Sequence, residues 1–156
     1  MLVAVFSAGC GGGDSSEDAA AESQGEPGFR ATRPQIETPV GLPPKKLIIK
    51  DMETGTGREA EKGDRVKIQY FGIDWRGSEH ANSWRYETLP VFTLGKRQLL
   101  RGLNLAAAGM KEGGSREVII PHNLVYYPGG NHRQLGPLDA LVYKVYLVDV
   151  LETRKG

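Results

Sequence analysis

The sequence has a single cysteine, Cys10, so no disulfide can form within the chain. It also lacks an excess of either charge, since 20 Lys and Arg stand against 19 Asp and Glu and leave a net charge of +1. Such a balance gives no broad basic surface, and we expect no nucleic-acid partner. No run of about 18 apolar residues is present, so the sequence predicts no transmembrane helix.

The usual catalytic motifs are also missing. The three histidines, His80, His122 and His132, are not spaced as metal ligands. No serine-centred elbow, phosphate loop or calcium loop occurs. We therefore expect neither a metal nor a cofactor, and an enzyme built on this chain would work without a nucleophile.

Glycine is abundant, at 21 of 156 residues, roughly twice the usual share, which favours a turn-rich β protein. One helix is predicted within Val91–Met110, where a strand breaks at Gly95 and an apolar helix follows. One face of this helix carries apolar side chains at three- and four-residue steps: Leu99, Leu103, Ala106 and Met110, widened by Leu100 and Ala107. Gly109 is a stop signal near its end.

Strand patterns surround this helix, and two polar stretches, 78–90 and 123–137, are predicted as loops. The strands are predicted at Lys46–Lys50, Arg65–Trp75, the start of Val91–Met110, Ser115–Pro121 and Ala140–Leu151. The pattern predicts an α+β domain in which an antiparallel sheet of about five strands covers one short α-helix.

The N-terminus resembles a bacterial lipoprotein signal. An apolar run over residues 1–6 precedes Ser7-Ala8-Gly9-Cys10 and a polar stretch rich in Gly and Ser. The resemblance implies that residues 1–9 are removed, that Cys10 is lipidated, and that the protein is an extracytoplasmic, membrane-anchored lipoprotein. A basic n-region is absent and the apolar run is short, and a start upstream of Met1 would explain both. The alternative is a chance apolar N-terminus with a free thiol.

Residues 10–42 are predicted to be a tether. Gly11–Gln24 has no aromatic or β-branched residue and cannot offset its ordering entropy by burial. Five prolines between Pro27 and Pro44 stiffen the chain that follows. The folded domain is therefore predicted to span residues 43–156.

The order of motifs in that domain resembles FKBP-type peptidyl-prolyl cis-trans isomerases, over Lys45 to about Glu152. Four groups of residues carry the resemblance: Gly63-Asp64 before Val66-x-Ile68-x-Tyr70-x-Gly72; Phe92-x-Leu94-Gly95 before Leu99-Leu100-x-Gly102-Leu103; Met110-x-x-Gly113 with Ile120-Pro121-x-x-Leu124-x-Tyr126; and Leu141-Val142-Tyr143-x-Val145-x-Leu147. It implies a twisted antiparallel sheet wrapped around the helix, and a prolyl-peptide pocket between them.

The resemblance also implies the site residues. Tyr70, Tyr126 and Leu103 would be catalytic, with Leu103 as the pocket floor and Tyr126 as a hydrogen-bond donor to the ligand. The substrate-binding wall would consist of Leu99, Leu100, Leu135 and Tyr143. For Leu99, Leu103 and Tyr143, ordinary core packing is an equally good interpretation.

One departure from the family bears on catalysis. Where the family usually has Phe-Asp-x-Ser-Trp, this chain has His80-Ala81-Asn82-Ser83-Trp84, so the acid is missing. The implied function is a monomeric isomerase that acts on proline-containing peptides or unfolded secreted proteins and assists their folding. The alternative is a non-catalytic peptide-binding or chaperone module with a degraded site.

Overall fold

The structure is a computed structural model, and it describes residues 29–125 and 139–151. One α-helix and six strands make up this part of the chain: β1 (Ile48–Glu53), β2 (Arg65–Asp74), β3 (Glu79–Asn82), β4 (Val91–Thr93), α1 (Arg101–Ala107), β5 (Ser115–Pro121) and β6 (Ala140–Leu151). Short 3-10 turns follow β3 at Ser83–Arg85 and β5 at His122–Leu124.

The strands form one antiparallel sheet in the order β1-β5-β6-β2-β3, and β4 pairs with the first residues of β2. The predicted α+β fold with one short helix is confirmed, with six strands in place of about five. The additional strand is β3, which lies in the stretch predicted to be irregular. Its four residues are too few to show an alternating pattern, and its pairing with β2 defines it.

The apolar face of α1 packs on one face of the sheet, as its periodicity predicted. Leu100 and Leu103 are buried there, together with Ala106. Gly102 permits this close packing, because a Cβ at that position would lie 2.5 Å from a methyl carbon of Ile120 on β5. The opposite side of the helix faces solvent, where Leu105 is 51% exposed.

The other face of the sheet is covered as well, by residues that the sequence assigned to the tether. Arg30 forms two hydrogen bonds with the buried side chain of Gln69: its N–H donates to Oε1 over 2.7 Å, and its carbonyl accepts from Nε2 over 3.0 Å. Ile36 packs against the outer cluster formed by Phe71, Ile73 and Val142.

This covering segment, residues 29–42, packs on the sheet although it precedes the domain start that we predict at residue 43, and that boundary stays a prediction. The Nζ of Lys144 donates to the carbonyl of Gln35 over 2.8 Å, and Nε1 of Trp75 donates to the carbonyl of Gly41 over 2.9 Å. Proline content alone indicated an extended chain, and an extended chain can also lie along a sheet. The signal and the tether that we predict before Phe29 fall outside the described residues, and they stay predictions.

Candidate functional site

Five of the predicted site residues, Leu99 among them, belong to one apolar cluster between helix and sheet. Tyr70 comes from β2 and Tyr143 from β6, while Leu100 precedes α1 and Leu103 lies in its first turn. Tyr143, Leu100 and Leu103 are fully buried, and Tyr70 is half-buried. The cluster therefore has a buried aliphatic and aromatic floor and one aromatic side chain partly open to solvent.

Tyr70 is the centre of an aromatic row. Its ring centroid lies 6.2 Å from that of Phe92 on β4 and 6.3 Å from that of Tyr143, at interplanar angles of 50° and 52°. Tilted pairs at such distances are favourable beyond the area that they bury. Phe92 entered the sequence analysis only as a motif residue, and the structure adds it to the site through its contact with Tyr70.

The backbone of Tyr70 is fixed by the turn after β3. Its N–H donates to the hydroxyl oxygen of Ser83 over 2.8 Å, and Ser83 is completely buried. Asn82 caps this turn by accepting from the N–H of Trp84. Ser83 of the Ser-Trp motif thus fixes β2 at Tyr70 through a hydrogen bond. The indole of Trp84 packs on the other face of the sheet, against the outer cluster that contains Phe71.

A loop between β4 and α1 presents Leu99 and Leu100, and Asn104 ties this loop to the helix. The Asn104 side chain accepts from the N–H of Gly95 over 3.1 Å. It donates to the carbonyls of Lys96 and Leu99 over 3.1 and 3.2 Å. The one polar residue in the apolar part of the helix therefore closes a loop that carries two predicted wall residues.

Leu99 also lines a separate groove of about 580 Å³ on the other side of this loop. Four cationic side chains surround the groove: Lys62, Lys96, Arg97 and Arg101. Neither Tyr70 nor Tyr143 takes part in it. The side chain of Leu99 lines this groove and also packs in the core, so its role in a prolyl pocket stays a prediction.

The sequence analysis did not predict the contact that His80 makes with Tyr143. Its Nδ1 lies 2.7 Å from the hydroxyl oxygen of Tyr143, and its ring meets the Tyr143 ring edge-on at 6.0 Å between centroids. Burial lowers the pKa of His80 below its usual value, and the nearby carboxylate of Asp74 partly opposes this. The two residues are 63 positions apart, so no local pattern could have predicted the pair.

Two predicted site residues, Tyr126 and Leu135, lie outside the described residues. Leu124 and Val125, the last described residues before Tyr126, pack against the apolar cluster. Their predicted roles stay predictions.

The described residues contain no group of three His, Cys, Asp or Glu side chains that could hold a metal ion. No helix among them is long and apolar enough to cross a membrane. What the arrangement offers is an apolar cluster with three aromatic rings, of which those of Tyr70 and Phe92 are partly exposed, and a polar pair at its edge. Partly exposed aromatic side chains of this kind can contact and desolvate a proline ring.

Comparison with known proteins agrees with this geometry. Residues 56–148 match the model of a family described as FKBP-type peptidyl-prolyl cis-trans isomerase. An FK506-binding protein of Streptomyces anulatus is 37% identical over 120 residues, which cover 76% of this chain and 97% of that protein. A probable FK506-binding protein of Corynebacterium glutamicum is 38% identical over 104 residues, covering 66% and 86%.

Among solved structures, FkpA of Escherichia coli matches with a TM-score of 0.59 and 27% identity over 69% of this chain, which corresponds to about half (49%) of the FkpA chain. The family match spans more than half of the chain, and it includes the strands and the helix that build the aromatic cluster. This chain is a member of the FKBP-type peptidyl-prolyl cis-trans isomerase family.

Proposed function

We propose that this isomerase works outside the cytoplasm, held to a membrane by a lipid on Cys10, and that it acts on prolyl bonds of unfolded secreted proteins. The observation behind the location is Ser7-Ala8-Gly9-Cys10, in which the only cysteine follows small residues and an apolar run. Proline isomerisation is slow enough to limit refolding, so an isomerase is useful where secreted chains fold.

The proposal for the site rests on the apolar cluster that contains Tyr70, Leu103 and Tyr143. Rotation about an X-Pro bond loses amide resonance, and the barrier is about 18–20 kcal/mol. An apolar pocket formed by Tyr70, Leu103 and Tyr143 favours the twisted imide, whose charge separation is smaller than that of the planar form. A reduction of about 1.4 kcal/mol in the barrier gives a tenfold rate, so a dry pocket with one donor is sufficient for useful catalysis.

Isomerisation of a proline tetrapeptide tests this site. We expect Tyr126→Phe to lower kcat/KM by about 0.5–1.5 kcal/mol, the net value of one hydrogen bond. Tyr86→Phe is a matched control, since Tyr86 is 55% exposed and lies outside the apolar cluster. Equal activity of Tyr126→Phe and wild type would remove Tyr126 from the site.

The location is tested on protein purified from its own cells. Mass spectrometry should find residues 1–9 removed and a lipid on Cys10, and Cys10→Ser should release the protein from the membrane fraction. An unmodified Cys10 that is still preceded by residues 1–9 would overturn the lipoprotein proposal without affecting the isomerase site.

A second candidate, a non-catalytic peptide-binding module, is favoured by one observation: His80-Ala81 stands where the family usually has Phe-Asp. Restoring the acid with Ala81→Asp should raise turnover if the tyrosines are arranged as in relatives. If neither wild type nor Ala81→Asp exceeds the uncatalysed rate while both remain folded, the binding module replaces the isomerase.

A further inference from the structure

The contact between His80 and Tyr143 spans a strand. Tyr143 lies on β6 and His80 on β3, and β2 separates these two strands in the sheet. The β2 residue between them is Gly72, which is in register with Tyr143 on one side and with Ala81 on the other. A Cβ on Gly72 would lie 2.5 Å from Cε1 of Tyr143, so the tyrosine ring lies over the glycine and reaches the edge strand.

The 2.7 Å separation of Nδ1 and the Tyr143 hydroxyl oxygen suits a hydrogen bond in either direction, and the histidine tautomer sets which atom donates. In one of the two neutral tautomers, the Tyr143 hydroxyl donates to an unprotonated Nδ1. A neutral imidazole carries one proton, which is then on Nε2.

Nε2 lies across the ring from Nδ1, and His80 is an exposed residue of the edge strand, although its ring is partly buried against Tyr143. Its neighbour Ala81 packs against the apolar cluster that contains Tyr70. The edge of the site that carries an acid in relatives thus carries an N–H donor here, next to a methyl group.

We propose that His80 contacts the substrate, with Nε2–H donating to a backbone carbonyl beside the proline, and that the Tyr143 hydroxyl positions His80 by fixing this tautomer. The inference rests on the proposed prolyl site. It gives this chain a donor where the family's acid would be an acceptor, so the loss of the acid is a change in the chemistry of the site.

Protonation of His80 places a proton on Nδ1 and forces the bond with Tyr143 to reverse. Among the described residues, the titratable groups that act on His80 are the hydroxyl of Tyr143 from β6 and the carboxylate of Asp74 from β2. Its neighbour on β3, Glu79, pairs with Arg33 and Arg85. Burial lowers the pKa of His80 from its usual value, and the carboxylate of Asp74 partly opposes this. Activity should therefore be flat at neutral and alkaline pH and fall at acidic pH, where His80 becomes protonated.

The first test follows isomerisation of a proline tetrapeptide by the full chain between pH 5 and pH 8. We expect His80→Phe to lower kcat/KM about 2- to 10-fold at pH 7.5, as for one lost hydrogen bond, and to abolish the fall at low pH. His80→Gln, which keeps an amide donor, should recover part of the rate without the pH dependence. His122→Gln is the control histidine and should keep the wild-type profile. A His80→Phe variant with wild-type rate and profile would overturn the proposal.

The second test does not depend on catalysis. Nitrogen-15 NMR should show His80 as the Nε2–H tautomer, and Tyr143→Phe should weaken that preference. Addition of the proline peptide should shift the Nε2–H signal of the folded protein. If wild type is inactive, the isomerase proposal fails, and this shift still decides the inference: a shift supports the contact, and its absence at saturating peptide overturns it.

Discussion

The indole Nε1 of Trp84 donates a hydrogen bond to the backbone carbonyl of Arg30 over 3.0 Å. The same carbonyl accepts from Nε2 of Gln69. One peptide group of the N-terminal segment is therefore bound by two side chains, one from β2 and one from the 3-10 turn after β3. The guanidinium of Arg33 lies 4.5 Å above the ring of Phe71 and pairs with Glu79 over 2.9 Å. The segment before the family domain is thereby attached both to β2 and to β3, the edge strand that carries His80.

These contacts predict a sharp difference between two deletions. Removing residues 11–28 should change the free energy of unfolding by less than about 0.5 kcal/mol, since their composition offers little apolar surface. Extending the deletion to residue 40 should cost more than about 2 kcal/mol, because it uncovers Phe71, Ile73 and Val142 and leaves the buried amide of Gln69 without Arg30. Denaturant melts of both variants measure this, and equal midpoints would mean that the segment adds nothing to stability.

Gly72 should tolerate no side chain while Tyr143 lies over it. Gly72→Ala places a Cβ 2.5 Å from Cε1 of the tyrosine, and we expect a loss of about 1–3 kcal/mol from overpacking. In a Tyr143→Leu background the same change should cost clearly less, because the clashing ring carbon is gone. A double-mutant cycle gives the coupling energy, and purely additive losses would contradict the arrangement.

Leu103 and Leu105 form a matched pair on opposite sides of the helix. Leu103 is 3% exposed and central to the core, so Leu103→Ala should destabilise the domain by about 2–5 kcal/mol. Leu105 is 51% exposed, and Leu105→Ala should stay within about 0.5 kcal/mol of wild type. If thermal melts show the two variants equally stable, the helix is not the centre of the core.

The sequence predicted the elements whose patterns are long and regular. The bounds of β5 and β6 agree with the predicted ranges, and β2 starts at the predicted Arg65. Alternation marks β2, and runs of β-branched and other apolar residues mark β5 and β6. The helix is shorter than its apolar periodicity, since Leu99 and Leu100 belong to the loop that Asn104 holds.

What the sequence could not predict depends on contacts between distant residues. Arg30 and Trp84 are 54 positions apart, and nothing local distinguishes a proline-rich tether from an extended chain docked on a sheet. The same holds for His80, whose partner lies on another strand. The resemblance to the family predicted the residues of the pocket wall. It predicted no partner for His80, because the family usually has phenylalanine at this position.

Asn104 allows a prediction that separates loop order from core stability. Its side chain makes three hydrogen bonds to the loop between β4 and α1, one as acceptor and two as donor. Asn104→Asp keeps the acceptor for the N–H of Gly95 and loses both donors, whereas Asn104→Leu loses all three bonds. We expect losses in the free energy of unfolding of about 1–3 kcal/mol for Asn104→Asp and about 1.5–4.5 kcal/mol for Asn104→Leu, at about 0.5–1.5 kcal/mol for each bond. Because the loop presents Leu100 to the site, KM for a proline tetrapeptide should rise in both variants, and more in Asn104→Leu. Melts and isomerisation kinetics on the same samples make the comparison, and unchanged KM in a destabilised variant would show that the loop does not shape the prolyl site.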